Sequence, residues 1–227
     1  MKQYLFELHA HTSDISRCGQ IPAEKLVELY ESAGYSGMVI TDHINRMTFQ
    51  NLELATWKDK VDYFLRGYHT AKSVASSDFT VLLGAEFCFT ENYNDYLVYG
   101  LTEDLMYNAL DNEILQWGIG RFSAFCRDND LLIIQAHPFR NYMFITPPKL
   151  IDGVEVMNCH PRHDSRNFLA QSWAEHFGLL KISGSDAHQP QDVGRGGILT
   201  QQPISSLSEL INEIRNCAEL IIPEDMQ

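Results

Sequence analysis

Short apolar runs, most of them followed by a segment of helical length, recur along this chain of 227 residues, and that alternation admits few architectures besides a parallel β/α sheet or barrel. Tyr4 to Leu8 reads as the first strand. The next helix opens with Pro22 at a permitted first-turn position, carries Leu26, Leu29, Tyr30 and Ala33 at helical spacing, and stops at Gly34. Gly37 to Ile40 is a second strand, Trp57 to about Ser76 a long helix, Val81 to Ala85 a third strand and Tyr96 to Tyr99 a shorter one. In the second half Glu113 to Arg127 reads as a helix and Leu131 to Gln135 as a buried strand. Val154 to Met157 is a strand beyond the Pro147-Pro148 break, Ser165 to Phe177 a helix and Leu180 to Ser183 a strand. Ser206 with Glu209 marks a capping box at the last helix, and Leu220 to Ile222 is a closing strand. The length and the 44% hydrophobic content fit one α/β domain over residues 1–227 better than two small ones.

Charge and cysteine usage exclude several function classes. A net charge of −13 repels polyanions, so no duplex nucleic acid is expected as a partner, and any phosphate must be drawn in by local positive charge. No stretch approaches the ~18 apolar residues of a membrane span, and MKQYLFELHAHT reaches charge and histidine too early for a signal peptide; no membrane partner and a cytoplasmic location are expected. The five cysteines (Cys18, Cys88, Cys126, Cys159, Cys217) are odd in number and form no CxxC pair, which argues against a disulfide framework or a thiolate zinc knot.

The nine histidines are placed with a pattern. Seven of them (His9, His11, His43, His137, His160, His163, His188) lie at or just beyond the C-terminal end of an expected strand, whereas His69 and His176 fall on helices. In a parallel barrel those strand ends converge on one face, so the pattern predicts a single site. His9 and His11, two apart on an extended chain, present both rings to one side and can bite one ion. Asp42 beside His43 is a carboxylate that could fix an imidazole tautomer. Glu86 ends the run VLLGAE, where an acid is costly unless paired or bound to metal. His137 follows another strand, and Asp186 and His188 form an end pair spaced like the first. Any one such histidine is more often structural than a ligand, but His9, His11, His43, Glu86, His137, Asp186 and His188 together point to a metal site. Nitrogen and oxygen ligands without thiolate suit zinc, manganese or iron.

At these residues the sequence resembles the PHP family, named for DNA polymerases and histidinol phosphatases. ELHAHT, MVITDH, GAEF, QAHPF, GVEVMN and SGSDAH occur in the family's order between Leu8 and about Leu199. The resemblance implies a distorted (β/α)7 barrel, TIM-barrel-like, with a trinuclear site and hydrolysis of phosphate esters. It implies that His9, His11, Glu86 and Asp186 hold one ion, that Glu86 bridges to a second ion with His137, and that His43 and His188 hold a third. Two departures stand out. Where many members carry a histidine or aspartate after the opening pair, this chain has Ser16 and Arg17, with Asp14 the nearest acid. Where members often carry a histidine after the next strand, Asp95 is the available oxygen ligand.

Two or three divalent ions would make hydroxide available near neutral pH and neutralise phosphoryl oxygens during attack. Asp186 is the expected proton carrier, and Arg17, Arg162, Arg195 and His160 are candidates to hold substrate. A small phosphorylated molecule is the expected substrate; a C–N hydrolase and a non-catalytic metal-stabilised module are the alternatives.

Overall fold

The computed structural model describes residues 3–52 and 54–226. In chain order the elements are β1 (Tyr4–Ala10), α1 (Ala23–Ser32), β2 (Tyr35–Ile40), β3 (His43–Ile44), α2 (Trp57–Val74), β4 (Thr80–Cys88), β5 (Asp95–Tyr99), α3 (Glu103–Asn108) and α4 (Gly118–Asp128). They continue with β6 (Leu132–Gln135), β7 (Gly153–Asn158), α5 (Asn167–Phe177), β8 (Leu180–Gly184), β9 (Ile198–Thr200), α6 (Leu207–Arg215) and β10 (Glu219–Leu220). The strands form one sheet in the order β10-β9-β1-β2-β4-β5-β6-β7-β8, with β3 paired to β4 off that path. The sheet curls until Ala10 at the end of β1 bridges Ala187 just beyond β8, so the architecture is a nearly closed α/β barrel.

Two apolar layers follow from strand alternation. Phe6, Leu8, Val39, Leu82, Leu97, Tyr99, Ile134 and Ile182 form one buried cluster inside the barrel, joined by Leu210, Ile211 and Ile214 of α6. Residues of opposite parity, among them Met38, Ile40, Leu83 and Phe87, pack outward against Leu26 and Tyr30 of α1, Phe64 of α2 and Phe122 of α4. Among the described residues no helix is long and apolar enough to cross a membrane.

Three expectations from the sequence need correction. The sheet is not wholly parallel: β5 runs antiparallel to both β4 and β6, because the short segment after β4 folds straight back. The reversal has a functional effect, since it puts Asp95 at the start of β5 opposite Cys88 at the end of β4. The segment from Glu113 is not one helix; Ile114–Gln116 makes a separate 3-10 turn, and α4 starts at Gly118 with φ +65°. There the Glu91 carboxylate accepts from the Ile119 amide at 2.8 Å, and a Cβ on residue 118 would meet that carboxylate at 2.5 Å. Finally β9, which the sequence reading omits, lies antiparallel to β1 over Tyr4, Leu5 and Phe6.

Candidate metal centre

The first strand changes phase just before its end. Glu7 pairs with Met38 and Ala10 with Ile40, so β1 spends three steps where β2 spends two. Such a bulge turns side chains to the opposite face. Phe6 and Leu8 face the barrel interior below it, Ala10 joins the outer core above it, and His9 and His11 are turned toward the interior at the C-terminal mouth. The Glu7 carboxylate holds the bulge: it accepts from the amides of Leu8 and His9 at 3.0 and 2.9 Å, from Ser185 through both amide and hydroxyl, and from the Tyr30 hydroxyl at 2.8 Å. Glu86 reaches the same place along β4 as the interior position after Leu82 and Gly84. His137 and Asp186 follow β6 and β8 with φ of +28° and +50°, a left-handed backbone uncommon for non-glycine residues and common at functional sites.

The donor atoms converge on points between side chains rather than on one another. His9 Nε2 and His11 Nε2 stand 3.1 Å apart. Glu86 Oε2 lies 3.3 and 3.2 Å from them, and Asp186 Oδ1 lies 3.5 Å from each. A tetrahedral ion with ligands at ~2.0–2.1 Å has edges of about 3.3–3.4 Å, so these four atoms match such a shell. His137 Nε2 is 3.3 Å from the other Glu86 oxygen and 3.9 Å from Asp95 Oδ2, so Glu86 presents one oxygen to each of two groups of candidate ligands. His43 and His188 group with His11 as a third set. His43 Nδ1, Glu86 Oε1 and His137 Nδ1 are buried without a hydrogen-bond partner, although His43 Nδ1 is only 3.1 Å from Glu86 Oε2. Three buried polar atoms with no hydrogen-bond partner among the described residues, in groups that seldom stay unsatisfied, fit a set of metal ligands.

The surroundings fix tautomers and charge. His9 Nδ1 meets Glu155 Oε1 at 2.8 Å, and His188 Nδ1 donates to the Asp186 carbonyl at 2.8 Å, so in each ring Nε2 is the nitrogen that would face a cation once its proton is displaced. Burial opposes charge on His9 and His11, but Glu155, Glu86 and Asp186 hold His9 well above its ordinary range, and hydrogen bonds to Asp186 and Glu86 lift His11 to about 9. Burial opposes charge on Glu86 and Asp186 too, yet the imidazoles hold both well below the usual carboxylate range. Burial pushes His43 down to about 3, and burial with the Glu86 charge lifts Asp95 to about 7. The cluster holds more buried carboxylate than fixed cation, the balance that draws in metal ions.

A cavity of about 330 Å³ opens on this cluster, lined by His43, Glu86, Asp95, His137, Asp186 and His188. Of the substrate-binding candidates, His160 and Arg162 also line it. Arg162 forks onto Asp192 at 2.6 Å and lies 3.0 Å from His160 Nε2. Burial, with the charge of Arg162, pushes His160 down to about 4. Arg17 is not in the lining; it is exposed and donates to Gln50 at 2.5 Å. Arg195 is likewise outside it, paired with Asp225 and with the Cys159 carbonyl. Asp14 accepts from the Ala23 amide at the start of α1, away from the cluster. Asp42 does not orient His43 as its sequence position suggests; its carboxylate takes the Thr12 amide and hydroxyl and the Ser16 hydroxyl, each at 2.7 Å.

Arg140 is the residue the sequence reading missed. It lines the cavity, donates from Nη2 to Asp186 Oδ2 and Asn158 Oδ1 at 2.8 Å, and carries a buried Nε with no partner. Its one signal was position, three residues beyond His137 in a strand-end loop.

Comparison with known proteins bears on the fold. The family model described as PHP-associated matches residues 164–218. PsfC from Pseudomonas syringae PB-5123 superposes with a TM-score of 0.69 at 17% identity, covering 100% of this chain and 94% of its own. A two-domain protein from Bacteroides vulgatus ATCC 8482, described as containing a predicted PHP-like metal-dependent phosphoesterase, gives 0.64 at 16% identity; 96% of this chain aligns to 63% of that one. An amidohydrolase from Chromobacterium violaceum gives 0.50 at 12% identity over 97% of this chain and 98% of its own. No curated protein sequence matches significantly. At these identities the likeness is one of fold, and the fold is the distorted barrel that the resemblance implied.

Proposed function

We propose that this PHP-family chain is a metal-dependent phosphoesterase acting on a small phosphorylated molecule, with two or three divalent ions held by His9, His11, His43, Glu86, His137, Asp186 and His188. The observation that carries the reading is Arg140: its guanidinium lines the cavity into which the ligand cluster opens, and its buried Nε–H has no partner among the described residues. Such a donor beside clustered carboxylates suits a group that brings its own negative charge, and a phosphoryl group does so where an amide or lactam does not. Zinc, manganese or iron bound there would acidify a water and neutralise phosphoryl oxygens.

The chain's own residues supply the rest. Arg140 and Arg162 orient the phosphoryl oxygens from the cavity wall, and His160, kept neutral by burial, donates or accepts a hydrogen bond beside them. Arg17 and Arg195 enter only if a large substrate extends past the cavity. Asp186 has two faces: Oδ1 turns to His9 and His11, while Oδ2 is taken by Arg140 and by Asn158 Nδ2 at 3.1 Å. Those donors favour its charged form, so ligation is its main role and proton carriage the secondary one. The deciding experiment assays metal-reconstituted protein against phosphomonoesters, phosphodiesters, amides and lactams. Turnover confined to phosphate esters, and lost in Arg140→Ala, supports the reading; turnover confined to amides or lactams overturns it.

A further inference from the structure

A second cavity, of about 570 Å³, is lined by the segment that follows His43, by the start of α2 and by the turn before α4. Its walls include Arg46, Phe49, Trp57, Lys60, Asn112 and Gln116, and among the described residues no aspartate or glutamate lines it. That is unexpected in a chain with 30 acidic residues against 17 lysines and arginines. Lys60 is only 9% exposed. Its ammonium donates to Asn112 Oδ1 at 2.8 Å and sits 5.8 Å from the Phe49 ring centroid. Among the described residues no carboxylate pairs with Lys60 or with the exposed Arg46. An ammonium has three protons to place, and burying it against one neutral oxygen is costly unless an anion completes the shell.

The apolar half of the cavity is equally defined. Trp57 donates Nε1–H to the Met106 carbonyl at 2.7 Å, which fixes its ring, and Phe49 meets that ring edge-on with centroids 6.2 Å apart. The volume falls within the usual range for small-molecule sites. From the cationic pole and the aromatic wall we infer that this cavity binds a small organic anion, a carboxylate or phosphate carried on an apolar ring, with Lys60 and Arg46 at the charged end. The site is distinct from the metal-lined cavity but shares a segment with it, since the Thr48 hydroxyl donates to the His43 carbonyl at 2.7 Å.

The test titrates the full, metal-loaded chain with phenylphosphonate and, separately, with benzoate, following the Trp57 indole N–H cross-peak, which is assigned by its loss in Trp57→Phe. Saturable shifts are expected, with the stronger probe showing whether phosphate or carboxylate is preferred. Lys60→Met should weaken binding at least about tenfold, the scale of a lost charge-assisted contact. Asn112→Asp keeps the fold and pairs Lys60 internally, so it should abolish the shift even if Lys60→Met misfolds. Glu86→Gln, which alters the metal centre alone, should leave the shift intact. No saturable shift up to about 10 mM of either probe, binding unchanged in Asn112→Asp, or loss of the shift in Glu86→Gln each overturns the inference.

Discussion

Glu155→Gln isolates the geometry around His9, because it preserves shape while changing what each oxygen can do. In the native protein Oε1 faces His9 Nδ1 at 2.8 Å, and Oε2 accepts from the His137 amide at 3.0 Å and from Asn158 Nδ2 at 2.9 Å. All three contacts are buried, with Glu155 0% exposed. A glutamine has one acceptor and must choose. If its oxygen faces His9, its NH₂ meets two donors, and each orphaned donor costs about 1–3 kcal/mol. If its oxygen faces His137 and Asn158, its NH₂ meets His9 Nδ1 and forces the ring proton onto Nε2, the atom that points into the ligand cluster. Both arrangements weaken metal binding, and groups that orient metal ligands in this way are worth roughly 10–100-fold in affinity, or about 1.4–2.8 kcal/mol. Competition with a chromophoric chelator reads this directly, and circular dichroism confirms that the fold survives. An affinity within about twofold of wild type would refute the tautomer argument.

Glu86→Gln would remove the proposed bridge between two metal positions and should lower turnover at least about a hundredfold with the fold largely kept; near-wild-type turnover would take Glu86 out of the site. Asp186→Asn should lower kcat at least about a hundredfold with KM changed far less. If saturating metal restores kcat in that variant, Asp186 is a ligand only. Gly184→Ala would bring a Cβ to 2.4 Å from His9 Cβ and 2.7 Å from Glu155 Oε1, so it should displace His9 and destabilise the protein by about 1–3 kcal/mol, measurable by urea denaturation. Chelation should lower Tm in a way that depends on free metal concentration, since a ligand of the native state stabilises by mass action; a Tm indifferent to metal would count against any ion in the cluster.

The parts of the fold written in local pattern were legible from the sequence. β1, α1, β2, α2, β4, β7, α5 and β8, which show clear apolar periodicity or punctuation, lie close to their expected limits, because hydrophobic spacing and Gly or Pro act within a few residues. Strand direction was not legible. Tyr96 to Tyr99 reads as a strand in either sense, and only tertiary pairing turns it antiparallel and brings Asp95 to Glu86 and His137. The separation of Ile114–Gln116 from α4 depends on Glu91, more than twenty residues upstream, and no local signal announces it. For the candidate site, the strand-end histidines and carboxylates that the structure brings together were readable, whereas the groups around them were not. Glu7 and Glu155 look like ordinary acids in apolar strands until the bulge and the barrel curvature supply their donors. Arg17, Arg140, Arg162 and Arg195 are indistinguishable as letters, and loop geometry alone puts Arg140 and Arg162 on the cavity.

The barrel's closure at one small bridge has a mechanical consequence. Among the described residues one isolated bridge, Ala10 to Ala187, supplies the backbone pairing between the end of β1 and the segment beyond β8, where the His11 amide reaches the Ala187 carbonyl at 3.2 Å and the Ala187 amide reaches the His9 carbonyl at 3.3 Å. The donors nearest this seam come from its two lips, His9 and His11 from one and Asp186 and His188 from the other. An ion gripping both lips is a clasp joining nearly opposite ends of the chain, and in the chain-entropy model a cross-link closing so long a loop is worth roughly 4–5 kcal/mol. Metal bound there would latch the cylinder shut, and amide exchange at His11 and Ala187 would gauge whether the clasp is fastened.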